Sequence, residues 1–147
     1  MMTTGSFETK SPEETEALGK RVAGELVAGD VVGLIGELGS GKTCFVRGVA
    51  GGLGSEGLIK SPSFTIINIY EGGRLPLHHI DLYRIARTGE FFDTGVEEYI
   101  YGEGVSVIEW ADNVPGLLER CDLVIRFSHR GDDLREIEIK RRGAGEG

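Results

Sequence analysis

The sequence predicts an α/β fold in three layers, a mixed sheet flanked by helices. Three observations carry this. The continuous apolar run Val31-Val32-Gly33-Leu34-Ile35 reads as a buried, parallel-type strand, because a surface strand would alternate apolar and polar residues. Immediately after it, Gly36-Glu37-Leu38-Gly39-Ser40-Gly41-Lys42-Thr43 matches G-x-x-x-x-G-K-[ST], and a helix-forming stretch follows. Further strand-sized apolar runs then alternate with turn clusters through the rest of 147 residues, a length that suits one domain spanning 1–147. Strand, glycine-rich turn and helix in this order make the expected domain P-loop NTPase-like.

Taken in chain order, residues 1–8 read as a flexible tail. Ser11-Pro12-Glu13-Glu14 announces a helix, with Ser11 as N-cap, Pro12 at the first helical position and Glu14 closing a capping box. Leu18, Val22 and Leu26 recur every four residues and extend that helix over Pro12 to Ala28, where Gly29-Asp30 breaks it. The strand at Val31 to Ile35 and the helix from Lys42 to about Leu53 come next. Phe64 to Tyr70 is rich in β-formers, Glu71 to Arg74 reads as a turn, and Leu75 to Leu82 returns, so the three predict a hairpin. Phe91 to Tyr101 is acidic and reads as helix or loop. Val105 to Glu109 is a second buried-type strand ending on a carboxylate. A short helix over Val114 to Glu119 precedes a strand at Leu123 to Phe127. Ser128 to Asp133 is a turn, and Leu134 to Lys140 alternates like an edge strand. The end, 141–147, reads as a second flexible tail.

Composition narrows the function. With 39% hydrophobic and 27% charged residues, wholesale disorder is excluded, and 24 glycines without a Gly-X-Y repeat exclude collagen. No apolar run reaches the roughly 18 residues of a membrane helix, and the first 30 residues lack a secretory h-region, so the expected location is cytoplasmic. Sixteen Lys+Arg against 24 Asp+Glu leave a formal charge of -8, which opposes sequence-independent grip on a phosphate backbone. Lys140, Arg141 and Arg142 cluster, either as a local basic patch or as a solvated tail end. Cys44 and Cys121 lie far apart, and three histidines with two cysteines make no zinc pattern, so free, mostly buried thiols and no zinc are expected.

The P-loop carries the chemistry. Its glycines let successive N–H groups point inward as an anion nest, and the helix starting at Lys42 adds its positive dipole end. Lys42 is the charge that reaches the β- and γ-phosphates, and Thr43 offers a hydroxyl to Mg²⁺. Such a site also needs an acid at the end of another buried strand. Glu109, followed by Trp110, and Asp81, two residues after His79, are the best placed, although each alone also reads as a surface carboxylate. Arg84 reads equally as a phosphate contact and as a surface ion-pair partner. Ser61-Pro62-Ser63-Phe64-Thr65 reads either as an ordinary turn before a strand or as a loop sensing the γ-phosphate.

With GELGSGKT, SPSFT, His79-Ile80-Asp81-Leu82-Tyr83-Arg84 and Ile108-Glu109-Trp110 in this order and spacing, the chain resembles the bacterial TsaE family from about Ser11 to Lys140. The resemblance implies a small ATPase that uses ATP and Mg²⁺. It implies docking on the TsaB–TsaD heterodimer, in the pathway that installs N6-threonylcarbamoyladenosine in tRNA, with tRNA met only indirectly. It implies ATP binding by Gly36 to Thr43, Mg²⁺ contact at Thr43, and metal or water roles for Asp81 and Glu109 without deciding between them. Ser61, Ser63 and Thr65 fall in a switch-like loop. Trp110 would lie beside the nucleotide or the partner surface, core packing being its alternative. Ser11 and Arg130 would lie near the adenine. Two departures stand out: Cys44 follows the P-loop where Thr or Ser is more usual, and Ser63 replaces a common Thr.

Two other function classes remain open. A small-molecule kinase shares the P-loop but needs an acceptor pocket and an arginine-bearing lid, and no such lid is visible after Thr43. A nucleotide-sensing switch would bind ATP without meaningful turnover.

Overall fold

In the computed structural model the described residues are 3–36, 41–55, 58–60, 67–82, 97–100 and 102–142. They form eight strands: β1 (Gly5–Thr9), β2 (Val31–Ile35), β3 (Leu58–Lys60), β4 (Ile67–Tyr70), β5 (Leu77–Asp81), β6 (Val105–Glu109), β7 (Leu123–His129) and β8 (Arg135–Arg141). The helices are α1 (Pro12–Ala23), α2 (Lys42–Leu53) and the single turn α3 (Glu97–Ile100). One sheet runs β1-β8-β7-β2-β6-β5-β4-β3. Its centre, β7-β2-β6-β5, is parallel, and antiparallel pairs extend it at both edges. The predicted mixed α/β sheet is what forms, with β2 at its middle as a continuous apolar run requires.

Both ends of α1 show local chemistry at work. The Ser11 hydroxyl accepts from Glu14 N at 3.1 Å. The Glu14 carboxylate accepts from Lys10 N at 2.7 Å, one residue earlier than in a regular capping box. The helix stops at Ala23 and not at Ala28. Gly24 caps it, and tight backbone bonds from Glu25 N to Val22 O and from Leu26 N to Ala23 O replace the helical ladder. Leu26 is still buried, so its place in the apolar repeat reflects burial from a turn.

The expected tail 1–8 is corrected. Gly5–Thr9 pairs antiparallel with β8, and Phe7 lies on the core with the Arg21 guanidinium 5.6 Å from its ring centroid. β8 is therefore not the edge strand; β1 is. The second tail likewise starts too early, since Arg141 closes β8 and lies 3.9 Å from Glu25; residues 143–147 lie outside the described residues. In the basic cluster Lys140 lies 3.7 Å from Glu138 and Arg141 3.9 Å from Glu25, so two of the three cations face acids. The expected helix at Val114 to Glu119 is two 3-10 turns, Ala111–Asn113 and Leu118–Arg120. Pro115 and Gly116, at φ 85°, separate them. The hairpin forms as β4 and β5, and of the ambiguous 91–101 stretch Glu97–Ile100 is helical. Phe64 to Ile66, residues 91–96 and Tyr101 lie outside the described residues.

Two apolar layers lock the sheet. On one face α1 and α2 bury Leu18, Val22, Phe45, Val49 and Leu53 against Val32, Leu34, Val107, Ile125 and Phe127. On the other, α3 and the 3-10 turns bring Ile100, Ala111, Val114, Leu117 and Cys121 onto Val31, Ile80 and Ile108. Three of the glycines serve the α1–α2 contact. A Cβ on Gly48 would sit 2.0 Å from Glu16 O, one on Gly19 2.3 Å from Phe45 O, and one on Gly52 2.6 Å from Ala23 Cβ. Gly48→Ala is expected to destabilise the fold by about 2–3 kcal/mol, since overpacking against backbone outweighs the helix-propensity gain. A Cβ on Gly51 meets only the flexible Lys20 Cε, at 3.3 Å. Gly51→Ala should therefore stabilise by up to about 1 kcal/mol. Thermal melts of both variants check the pair, and equal effects would contradict this packing.

Candidate nucleotide site

The site forms where the central strands end. β2 runs into Gly36, and α2 starts at Lys42 from Gly41, whose φ of 105° is left-handed and favours glycine. Gly41 as N-cap has no side chain to cap α2, no acid lies in the first turn of that helix, and Gly41 to Cys44 line the cavity described below. Glu37, Leu38, Gly39 and Ser40 lie outside the described residues, as do Ser61, Ser63, Thr65 and Arg84.

Lys42 is only 4% exposed. Its Nζ donates to Gly36 O at 2.6 Å and stands 4.0 Å from the centroid of the Trp110 ring. Burial lowers its pKa from the usual lysine value, and Glu109, Asp81 and Asp112 oppose that shift. Trp110 reaches this position through a left-handed backbone, φ 60°, which begins the first 3-10 turn. It also packs on the apolar layer, so it serves the core and faces the lysine at once.

Strand register assembles the acids. The parallel pair β5–β6 puts Asp81 beside Glu109, and β2–β6 puts Leu34 beside Glu109. Both acids thus stand at the carboxyl ends of parallel strands, where open α/β sheets bind ligands. Asp81 is exposed, whereas Glu109 is buried with its carboxylate 2.5 Å from His79 Nε2.

A cavity of about 220 Å³ joins these parts. Ser11 and Thr15 from α1, Gly41 to Cys44 from α2, Glu109, and Asp133 and Arg135 from the β7–β8 hairpin line it. Ser11 therefore stands at the site. Arg130 does not line this cavity; it is exposed, with Nη2 2.8 Å from Glu136, in a shallow depression beside Asp133. Thr15, Asp133 and Arg135 join the cavity beyond the residues expected from sequence, and His79, known there only from the motif around Asp81, joins through Glu109. His79 carried a local signal, two residues before Asp81 and so on the same strand face. The other three converge from distant parts of the chain and carried none.

The family model described as threonylcarbamoyl adenosine biosynthesis protein TsaE matches residues 9–137. The chain belongs to the TsaE family. It is 45% identical over 131 residues to the tRNA threonylcarbamoyladenosine biosynthesis protein TsaE of Bacillus subtilis, covering 89% of this chain and 82% of that protein. The Treponema pallidum protein of the same description is 44% identical, covering 89% and 96%. A crystal structure of Bacillus subtilis YdiB superposes with a TM-score of 0.75 at 40% identity, covering 97% of this chain and 88% of that one.

Of the TsaE-family chain's two free cysteines, Cys44 is half-buried at the cavity and Cys121 is buried, where desolvation pushes its thiol up to about 12. Cys44 is expected to react with a thiol reagent in the native protein and to be slowed by saturating Mg-ATP. Cys121 should react only on unfolding. Mass spectrometry of labelled peptides checks this; labelling of Cys44 indifferent to nucleotide would place ATP elsewhere.

Proposed function

We propose that the chain is a Mg-ATP-binding P-loop ATPase that docks on a TsaB–TsaD-type complex and supports N6-threonylcarbamoyladenosine modification of tRNA. Hydrolysis resets that complex between rounds. The carrying observation is that Lys42, the start of α2 and Glu109 line one cavity. Membership of the TsaE family supports the tRNA-modification role. Among the described residues no helix is long and apolar enough to cross a membrane.

In this reading Lys42 leaves Gly36 O for the β- and γ-phosphate oxygens, and the α2 N–H groups hold the remainder of the polyphosphate. Thr43, Asp81 and Glu109 supply hydroxyl and carboxylate oxygens, a donor set that fits a hard cation. Among the described residues no three His, Cys, Asp or Glu side chains cluster as a cage, so phosphate and water oxygens would complete the coordination. Mg²⁺ bound with ATP would neutralise charge on the transferring phosphoryl group. The acid not engaged with the cation orients the attacking water. Asp81, Glu109 and Asp112 act electrostatically on Lys42, so part of its positive field at the γ-phosphoryl is opposed, which suits activation by a partner.

Phosphate release from ATP, measured with and without TsaB–TsaD, tests the proposal. Stimulation by the complex is expected. Unchanged release with nucleotide-dependent docking would favour a switch, and a phosphorylated metabolite would favour a kinase.

A further inference from the structure

The His79–Glu109 contact joins two neighbouring parallel strands. His79 pairs in register with Val107, and Asp81 with Glu109. The imidazole therefore reaches along the sheet to the carboxylate two residues further on, and Nε2 and Oε2 meet at 2.5 Å. Both side chains are enclosed, at 14% and 11% exposure. A carboxylate withdrawn from water this far needs a donor, and the imidazole supplies one. A carboxylate oxygen accepts, so Nε2–H donates, and it does so from the neutral Nε2 tautomer and from the cation alike.

The two partners face different spaces. Glu109 lines the nucleotide cavity; His79 does not. His79 instead lines a second space of about 370 Å³ between α2 and the β4–β5 hairpin, together with Val46, Ser55 and Tyr70. Thr43 borders both. The imidazole thus holds the carboxylate from behind, on the side away from the cavity.

We propose that His79 is a positioning residue: its Nε2–H pins one oxygen of Glu109, so that the carboxylate meets the attacking water or the cation in a fixed orientation. A ligand or base held by a partner needs no reorganisation as the reaction proceeds, and loss of such a partner typically costs 10–100-fold. This rests on Glu109 acting in hydrolysis, as proposed above.

Steady-state phosphate release against ATP concentration, on the assembled TsaB–TsaD complex, tests it with His79→Ala, His79→Gln, His79→Asn and Glu109→Gln. His79→Ala is expected to lower kcat about 10–100-fold with KM for ATP changed less than about twofold, as for loss of a supporting partner. Gln places an amide where Nε2 stood and should restore most of kcat. Asn, whose amide falls short, should behave like Ala, which distinguishes positioning from filling of space. His79→Ala added to Glu109→Gln should cost little further. Wild-type kcat in His79→Ala beside an impaired Glu109→Gln overturns the positioning role and leaves the ATPase reading standing. So does a folded His79→Gln as slow as Ala. Wild-type kcat in Glu109→Gln overturns the role assigned to Glu109 itself.

Discussion

Lys42→Met is expected to abolish ATP binding while leaving the unliganded protein at least as stable as the wild type. The two effects share one cause. Lys42 is buried to 4% exposure with its ammonium between Gly36 O and the Trp110 ring. Desolvation lowers its pKa despite the three carboxylates that pull the other way. A lysine whose folded pKa is depressed contributes stability above the ordinary value of 10.5, and that stability is lost as pH falls through the depressed one. At neutral pH burial of the ammonium is therefore a net cost to the free protein, one that phosphates would offset. Methionine keeps the apolar stem in place without the charge. Glu109 keeps its bond from His79. Calorimetric titration should give no heat with millimolar ATP, and melting curves should show a Tm no lower than that of the wild type. The rise in wild-type stability with pH below 10.5 should flatten in the variant. Normal affinity in Lys42→Met would remove the lysine from the phosphates.

Asp81→Asn and Glu109→Gln are expected to keep ATP affinity within about threefold and to cut phosphate release by about 100-fold or more, the scale of losing one transition-state contact. Both acids stand at the ends of adjacent strands, on the face that carries α2. Neither holds the phosphates directly, so binding survives. Glu109→Gln should be the more damaging, because Glu109 lines the cavity and Asp81 is exposed beside it. Phosphate release measured beside nucleotide titration checks both variants. Unimpaired turnover in the two would mean that metal and water are served from elsewhere.

Elements dictated by their own residues are legible in the sequence, and contacts between distant segments are not. β2, the turn after it and α2 are contiguous, and each is dictated by its own residues: apolar run, glycines, helix formers. Glu109 and Asp81 could be picked because each ends a strand. That they become neighbours depends on the β5–β6 register, which no local pattern encodes. β1 is five residues whose partner lies about 130 positions away, so Ser6-Phe7-Glu8 reads as tail although Phe7 alternates with polar residues. Pro115-Gly116 interrupt the apolar pattern of Val114–Glu119, so two 3-10 turns stand where a helix is expected. Thr15 and Arg135 reach the cavity only through the packing of α1 and the β7–β8 hairpin on α2, a tertiary event.

The most direct test of the cradle at Gly36–Thr43 is isothermal titration of the intact chain with ATP and ADP in the presence of Mg²⁺. One site per chain with a dissociation constant below a millimolar, lost in Lys42→Met, is the predicted result. Absence of heat at millimolar nucleotide from properly folded wild-type protein would contradict it.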